Sequence, residues 1–377
     1  MERPQGSLIS FMSNMVKANG GINCAQGIPG FNPPEELLEE LARLAGEPVH
    51  QYPAGNGNLK LREIIINNIA KLPDFSADAN VLVTNGATEA VSLIYLYLRQ
   101  KKGGVFTTLA FSPVYESYSN LPRIYGDRFI EERPGRDGSF DFALLENRIA
   151  AEKVDLILLC TPGNPLGKIW KKHEISKFYK ICKEHGAVLV VDAVYSDLYF
   201  NEAPYLPYEL IDDNLFVVSA FSKMLSITGW RVGYVIGSKG RISELAGIHD
   251  YTGLCSPSIL QEAIANYLAK NDNGSKYLES LRKKVRLSFF AMRDALQSSG
   301  FRVPQIDGGY FVWAELPPKF TDGFEFAVSL YENERVGTVP GIHFSDFAAN
   351  YLRISIAKPA EEIGEAAKRI GRFVSGK

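Results

Sequence analysis

The sequence predicts an α/β fold, with a mostly parallel sheet covered by helices on both faces. Three observations lead there. Short apolar runs recur at residues 80–84, 105–109, 155–160, 187–191, 214–218 and 234–236. The runs are continuous rather than alternating, the pattern of strands buried on both faces. Helical stretches separate several of them, as the crossovers of a parallel sheet require. In such sheets ligands bind beyond the carboxyl ends of the strands.

Each element has a local reason. Ile9, Met12, Met15 and Val16 follow a helical period until Gly20 and Gly21 stop it. Residues 26–34 carry proline and glycine too densely for regular structure. Pro34 opens a helix over 35–45, and a second runs over 58–70. Strand 80–84 leads through a turn at 85–89 to a helix over 90–99. Strand 155–160 is followed by a loop. A helix over 173–185 precedes strand 187–191, which ends at Asp192. A long helical stretch from 257 to about 296, interrupted near 271–274, leads to segments 308–314 and 351–357. A terminal helix covers 361–374, and no internal repeat is visible.

At 377 residues and 46% hydrophobic, the chain is too long for one ordinary domain, so two are expected. Its formal charge of −2, from 41 basic and 43 acidic residues, argues against a nucleic-acid surface. Cys24, Cys160, Cys182 and Cys255 have no close pairing and are expected to be reduced, as in an intracellular protein. Five scattered histidines offer no zinc spacing. No apolar run approaches the ~18 residues of a membrane span. The first residues lack a basic-then-apolar signal segment, so a cytoplasmic location is expected.

The chemistry-bearing residues fall near strand ends. Lys223 sits between two apolar runs, near the core rather than on a wet helix face. Burial depresses a lysine pKa, and such a lysine can form Schiff bases. Arg231, eight residues on, suits bidentate contact with a phosphate. Asp192 ends a buried strand, where a carboxylate is costly unless paired. A protonated heterocyclic nitrogen would suit it; a plain cap is the alternative. Tyr195 shares its face if the backbone turns helically. Asn85, Gly86, Ala87 and Thr88 precede a helix and offer an anion site, or an ordinary cap. They form neither a GxGxxG nor a P-loop pattern. Tyr115 suits stacking on a planar ligand, or simple packing. Asn164 offers a donor at the sheet edge, or a turn. Arg353, in the alternating run 351–357, suits a substrate carboxylate, or a surface strand.

Taken together, these motifs resemble the fold-type I pyridoxal-phosphate enzymes, specifically the class I/II aminotransferases. The match runs from Gln26-Gly-Ile-Pro-Gly-Phe31 to Arg353, with order and spacing kept. The resemblance implies a seven-stranded, mostly parallel sheet with a smaller α+β domain. It divides the chain into an arm and part of the small domain (1–45), a large cofactor-binding domain (46–270) and a small domain (271–377). Pyridoxal 5'-phosphate is the implied cofactor. Lys223 corresponds to the lysine that bonds to it, Asp192 to the partner of its ring nitrogen, and Tyr195 and Asn164 to the contacts of its ring oxygen. Tyr115 corresponds to the stacked aromatic, and Ala87, Thr88 and Arg231 to the phosphate cup. Tyr52 resembles the tyrosine that reaches the neighbouring subunit's cofactor, implying a homodimer with shared sites. Gly27, Ile28, Asn164 and Arg353 fall where the family binds substrate.

Three departures stand out. Asn164-Pro-Leu-Gly167 replaces the usual Asn-Pro-Thr-Gly. Ala193 follows Asp192 where Glu is common. Ala220 stands where many members carry a phosphate-binding Ser or Thr, leaving Ser222, or Ser219 one place early, to compensate. Weaker cofactor retention is the expectation.

The implied reaction moves an amino group from an amino acid to a 2-oxo acid. The run from Ile22 to Phe31 looks like the methionine, aromatic or kynurenine branch. Ile28 and the segment 308–310 suggest a pocket tolerant of aromatic or aliphatic groups. No second arginine is evident for an acidic side chain, so a neutral donor is expected, with 2-oxoglutarate or another oxo acid as acceptor. The alternative enzyme is a β-eliminating C–S lyase on the same fold, which would release pyruvate and ammonia without an acceptor. A transcriptional regulator with this domain would carry an N-terminal DNA-binding segment, and no basic helix-turn-helix segment is seen here.

Overall fold

The computed structural model describes residues 3–135 and 139–376. Its centre is a seven-stranded sheet. Across the sheet the strands run Val81–Thr84, Gly233–Ile236, Leu215–Ala220, Val188–Asp192, Leu156–Cys160, Thr107–Phe111 and Arg128–Glu132. All are parallel except Gly233–Ile236, which is antiparallel to both neighbours. Side chains alternate between two buried faces, as the pleat requires. Leu156 and Leu158 enter one core with Val190, Phe216 and Val235. Ile157 and Leu159 enter the other with Leu189, Val191 and Val217. Burial on both faces is why these strands read as unbroken apolar runs.

The helices differ from the expected ones in instructive ways. Ala87–Lys102 begins three residues early, because Gly86 takes a φ of 85° and lets the helix start directly behind the strand. The expected helix over 58–70 is Leu59–Ile64 continued by a π-helical turn, Ile65–Ala70, that ends at Lys71 with a φ of 56°. The edge strand Arg128–Glu132 had no apolar run to mark it. At the sheet edge its faces are only partly covered: Phe129 and Ile130 pack against the two cores, while Arg128, Glu131 and Glu132 keep some exposure. Helices Glu116–Ile124, Phe142–Glu152 and Lys239–Thr252 likewise had no sequence expectation. The long stretch divides as expected, into Ser258–Lys270 and Ser275–Ser298 around a short 3-10 turn.

A second core gathers both chain ends. Strands Phe311–Glu315 and Tyr351–Ser355 pair antiparallel, with Arg353 opposite Trp313. Strand Ile22–Asn23 pairs parallel with Val336–Gly337. Leu8, Met12 and Val16 of helix Leu8–Asn19 share this core with Phe289, Met292, Ile363 and Ile370.

Behind the sheet, the buried Phe178 contacts Phe111, Phe142 and Trp170 at ring distances of 5.0, 5.0 and 5.4 Å. Phe178→Ala would leave a cavity in this aromatic cluster and should cost about 3–5 kcal/mol. The denaturation midpoint of the sheet region checks this; a midpoint within error of the parent would contradict it.

Candidate active site

One cavity of about 250 Å³ lies at the carboxyl edge of the sheet. Topology explains what gathers there. Parallel neighbours bring Asp192, the Asn164 loop beyond Leu156–Cys160, and Tyr115 beyond Thr107–Phe111 to the same edge. Leu215–Ala220 delivers Lys223 through the four-residue helix Phe221–Met224. Gly233–Ile236 runs the opposite way, so its amino end meets this edge and Arg231 with it.

Ala87, Thr88, Tyr115, Asn164, Asp192, Tyr195, Ser222, Lys223 and Arg231 all line the cavity, as do Gly27, Ile28 and Arg353. Tyr52 does not; its ring is 81% exposed and away from its own chain's cavity. Ser219 also lies outside. Its hydroxyl donates to the Ala193 carbonyl at 3.2 Å, because its strand position points it to the opposite face. Ser222 therefore takes the place beside the Ala220 methyl. Tyr310 is fully buried instead of lining the cavity, its hydroxyl donating to the Lys223 carbonyl at 3.2 Å. Tyr195 sits in a turn closed by Ser196 N–H to Ala193 O, 2.9 Å, rather than in a helix.

Asp192 is 5% exposed. Burial raises its pKa, opposed by hydrogen bonds from the Tyr118 hydroxyl (2.6 Å) and the Val194 N–H (3.0 Å). Tyr118 had gone unremarked in the sequence. Its only signal was the i, i+3 spacing from Tyr115, in a segment whose internal Pro122 hid the helix. The two rings meet edge-on at 5.5 Å.

Lys223 Nζ donates to the Gly27 carbonyl at 2.5 Å. Burial, and then the charges of Arg353 and Arg231, lower its pKa to about 8. Gly27 allows this approach, since a Cβ there would lie 2.6 Å from the Phe311 ring.

Arg231 closes the other end. Its Nη1 and Nη2 donate to the carbonyls of Thr228 and Asn85, both at 3.1 Å. A Cβ on Gly86 would lie 2.3 Å from Arg231 Nη2, so only glycine permits the contact. Glu89 reaches back from the first helical turn to accept from the Asn85 N–H and its side-chain amide. That locks the loop with the first N–H groups of the helix free to face an anion.

Arg353 is 1% exposed. Nη1 donates to Asn164 Oδ1 at 3.1 Å and Nη2 to the Ala25 carbonyl at 2.5 Å. Nε has no hydrogen-bond partner among the described residues. The guanidinium lies 4.3 Å from the Phe311 ring centre and 4.8 Å from that of Phe344. Burial lowers its pKa to about 10, partly offset by the tyrosines and Glu116 nearby; it remains a cation at neutral pH.

The arrangement can hold an aldehyde on Lys223, a protonated ring nitrogen on Asp192, one anion at Arg231 and a second at Arg353. Only a neutral amine attacks an aldehyde. Capture of a small aldehyde at Lys223, trapped by borohydride and mapped by peptide, should rise about tenfold from pH 7 to 9 with its midpoint near the pKa of about 8. A midpoint near 10 would contradict the burial argument.

The family model for aminotransferase class I and II matches residues 19–370. A probable aspartate aminotransferase of Methanocaldococcus jannaschii is 28% identical over 354 residues, covering 92% of this chain and 91% of that protein. The methionine aminotransferase of Escherichia coli is 26% identical over 376 residues, covering 97% and 95%. The solved N-succinyldiaminopimelate aminotransferase of Mycobacterium tuberculosis superposes with a TM-score of 0.88 at 25% identity, covering 97% of each chain.

Proposed function

Because the chain belongs to the class I and II aminotransferase family, we propose that it moves the amino group of an amino acid with a neutral side chain, such as methionine or an aromatic residue, to a 2-oxo acid. Proteins of this family depend on pyridoxal phosphate. The observation that carries the reading is the convergence of Lys223, Asp192, Arg231 and Arg353 on one cavity. Among this chain's described residues, no cation lining it is left over for a carboxylate on the substrate side chain, which favours a neutral donor.

The residues present fit that cofactor. Lys223 supplies a buried amine and Asp192 a buried carboxylate. The helix start at Ala87 and Thr88, with Ser222 and Arg231, supplies a phosphate cup. Tyr115 stands ready to cover one ring face, and Asn164 and Tyr195 to contact the ring oxygen. When bound, pyridoxal phosphate supplies the aldehyde that captures the substrate amine and the conjugated ring that accepts the electron pair left at the α-carbon.

The chain does the rest. Arg353 binds the substrate carboxylate, its unpartnered Nε pointing to an unmet demand. Gly27 and Ile28 wall the substrate side. Lys223 Nζ takes the α-proton and later returns it, a role suited by its pKa of about 8. Asp192, oriented by Tyr118 and the Val194 N–H, holds a proton on the ring nitrogen. Tyr52 is proposed to serve the partner's site in a homodimer, in keeping with its exposure.

An amino-donor and oxo-acid panel, read by cofactor absorbance, tests the reading. Neutral amino acids should convert the aldehyde form to the amine form without releasing ammonia. Lys223→Ala should lose at least ~10³-fold in kcat. Arg353→Lys should raise KM ~10- to 100-fold through loss of the bidentate fork. No conversion by any donor, or full activity in Lys223→Ala, would sink the proposal.

The shared site has its own check. Mixing Lys223→Ala subunits with Tyr52→Ala subunits should restore one intact site per hybrid dimer. A monomer by light scattering, or no recovery of cofactor affinity on mixing, would count against it.

A further inference from the structure

The substrate side of the cavity holds one feature that the reaction above does not use. Glu116, the first residue of helix Glu116–Ile124, lines the cavity along with Gln26, Ile28 and Ile9, close enough to Arg353 for their charges to interact. His343, from the turn that follows strand Val339–Pro340, places Nε2 2.8 Å from Glu116 Oε2. His343 is nearly buried, while Glu116 keeps about a quarter of its side chain open. Its carboxylate thus has one oxygen against His343 and surface remaining toward the cavity.

We propose that Glu116 is a specificity-determining residue that restricts both half-reactions to substrates with a single carboxylate. The inference rests on the aminotransferase reading for its chemistry, and on the cavity wall for its substance.

The charges argue it. Among the described residues lining the cavity, the cations are Lys223, Arg231 and Arg353. The reaction assigns the first to the amine exchange, the second to a phosphate and the third to the α-carboxylate. A side-chain carboxylate would meet no free cation among these residues and would approach Glu116 instead. Like charges facing one another across a desolvated site are strongly disfavoured. The imidazole beside this carboxylate, His343, already has its Nε2 turned to Glu116 Oε2.

Glu116 also stays ionised. Burial pushes its pKa up, but contacts from His343 and Ser7 and the charge of Arg353 pull it below its ordinary value. Ser7, the cap of helix Leu8–Asn19, lies on the same side as this carboxylate and adds to that pull. Ile9 and Ile28 add apolar surface to the lining.

Donor and acceptor use one cavity in turn. The exclusion therefore applies to the oxo acid as well. Pyruvate and other monocarboxylic oxo acids are the expected acceptors, and 2-oxoglutarate a poor one.

Equilibrium binding to the cofactor-loaded enzyme tests this without any turnover. The probes are 3-phenylpropionate, with one carboxylate, and succinate, with two, followed by calorimetry or the shift in cofactor absorbance. Succinate should bind at least ~10-fold more weakly than 3-phenylpropionate. Glu116→Gln should narrow that ratio ~10-fold, and Glu116→Arg should narrow it further or reverse it. The kinetic counterpart is the ratio of kcat/KM for methionine over aspartate, which should fall in the same order.

Succinate binding as tightly as 3-phenylpropionate in the parent would overturn the proposal. So would a parallel change for both ligands in Glu116→Gln, the mark of a merely structural role. Discrimination in binding with no amino donor converted would support the selecting role of Glu116 while removing the aminotransferase reading.

Discussion

A buried guanidinium ties this molecule together. Arg353 stands on a strand of the C-terminal sheet, yet its donors reach the Ala25 carbonyl of the N-terminal arm and the Asn164 side chain of the central-sheet loop. A charge so removed from water is costly unless it is paired and hydrogen-bonded. Three distant stretches of chain therefore have to meet at one point, with the Phe311 and Phe344 rings closing its faces. The cavity wall is a product of that requirement. In the proposed reaction the substrate carboxylate completes the set of partners that the protein leaves unfinished at Nε.

The electrostatics of the cavity follow from what surrounds this arginine. Among the described residues, Lys223, Arg231 and Arg353 line the cavity, against the carboxylates of Asp192 and Glu116. The surplus of positive charge suits an anionic cofactor and an anionic substrate. It also acts on Lys223, whose amine is depressed first by burial and then by Arg353 and Arg231. Asp192 experiences the opposite pull: burial favours its neutral form, and the hydroxyl of Tyr118 and the Val194 N–H restore part of the balance toward the carboxylate. Each group is thus prepared for proton chemistry by its place in the sheet.

The backbone supplies the second constraint. Gly86 and Gly27 stand where a Cβ would collide with Arg231 and with Phe311. Their lack of a side chain sets how closely the helix start and the N-terminal arm approach the cavity. Ala220 presents a methyl to the cavity, and Ser222, two residues on, brings a hydroxyl to its lining, while Ser219 is turned away.

Much of this was legible in the residues themselves. The six apolar runs marked the central strands because both faces of the sheet are buried, and the loops after them carried Asn164, Asp192 and Lys223. The edge strand Arg128–Glu132 was not legible, since its faces are only partly covered and impose no continuous apolar run. Tyr118 was hidden in a helix containing proline. The direction of Gly233–Ile236, which puts Arg231 on the cavity edge, depends on the chain's path rather than on its local pattern. Ser222 was the expected replacement hydroxyl with Ser219 as the alternative, and strand geometry turns Ser219 away from the cavity. The sequence by itself determined which elements form and which chemistry their ends carry, because burial and periodicity are local to each element. Only the tertiary structure decided which side chains share a cavity, because contacts such as Arg353 with Ala25, or Glu116 with His343, join residues hundreds of positions apart and leave no trace in local pattern.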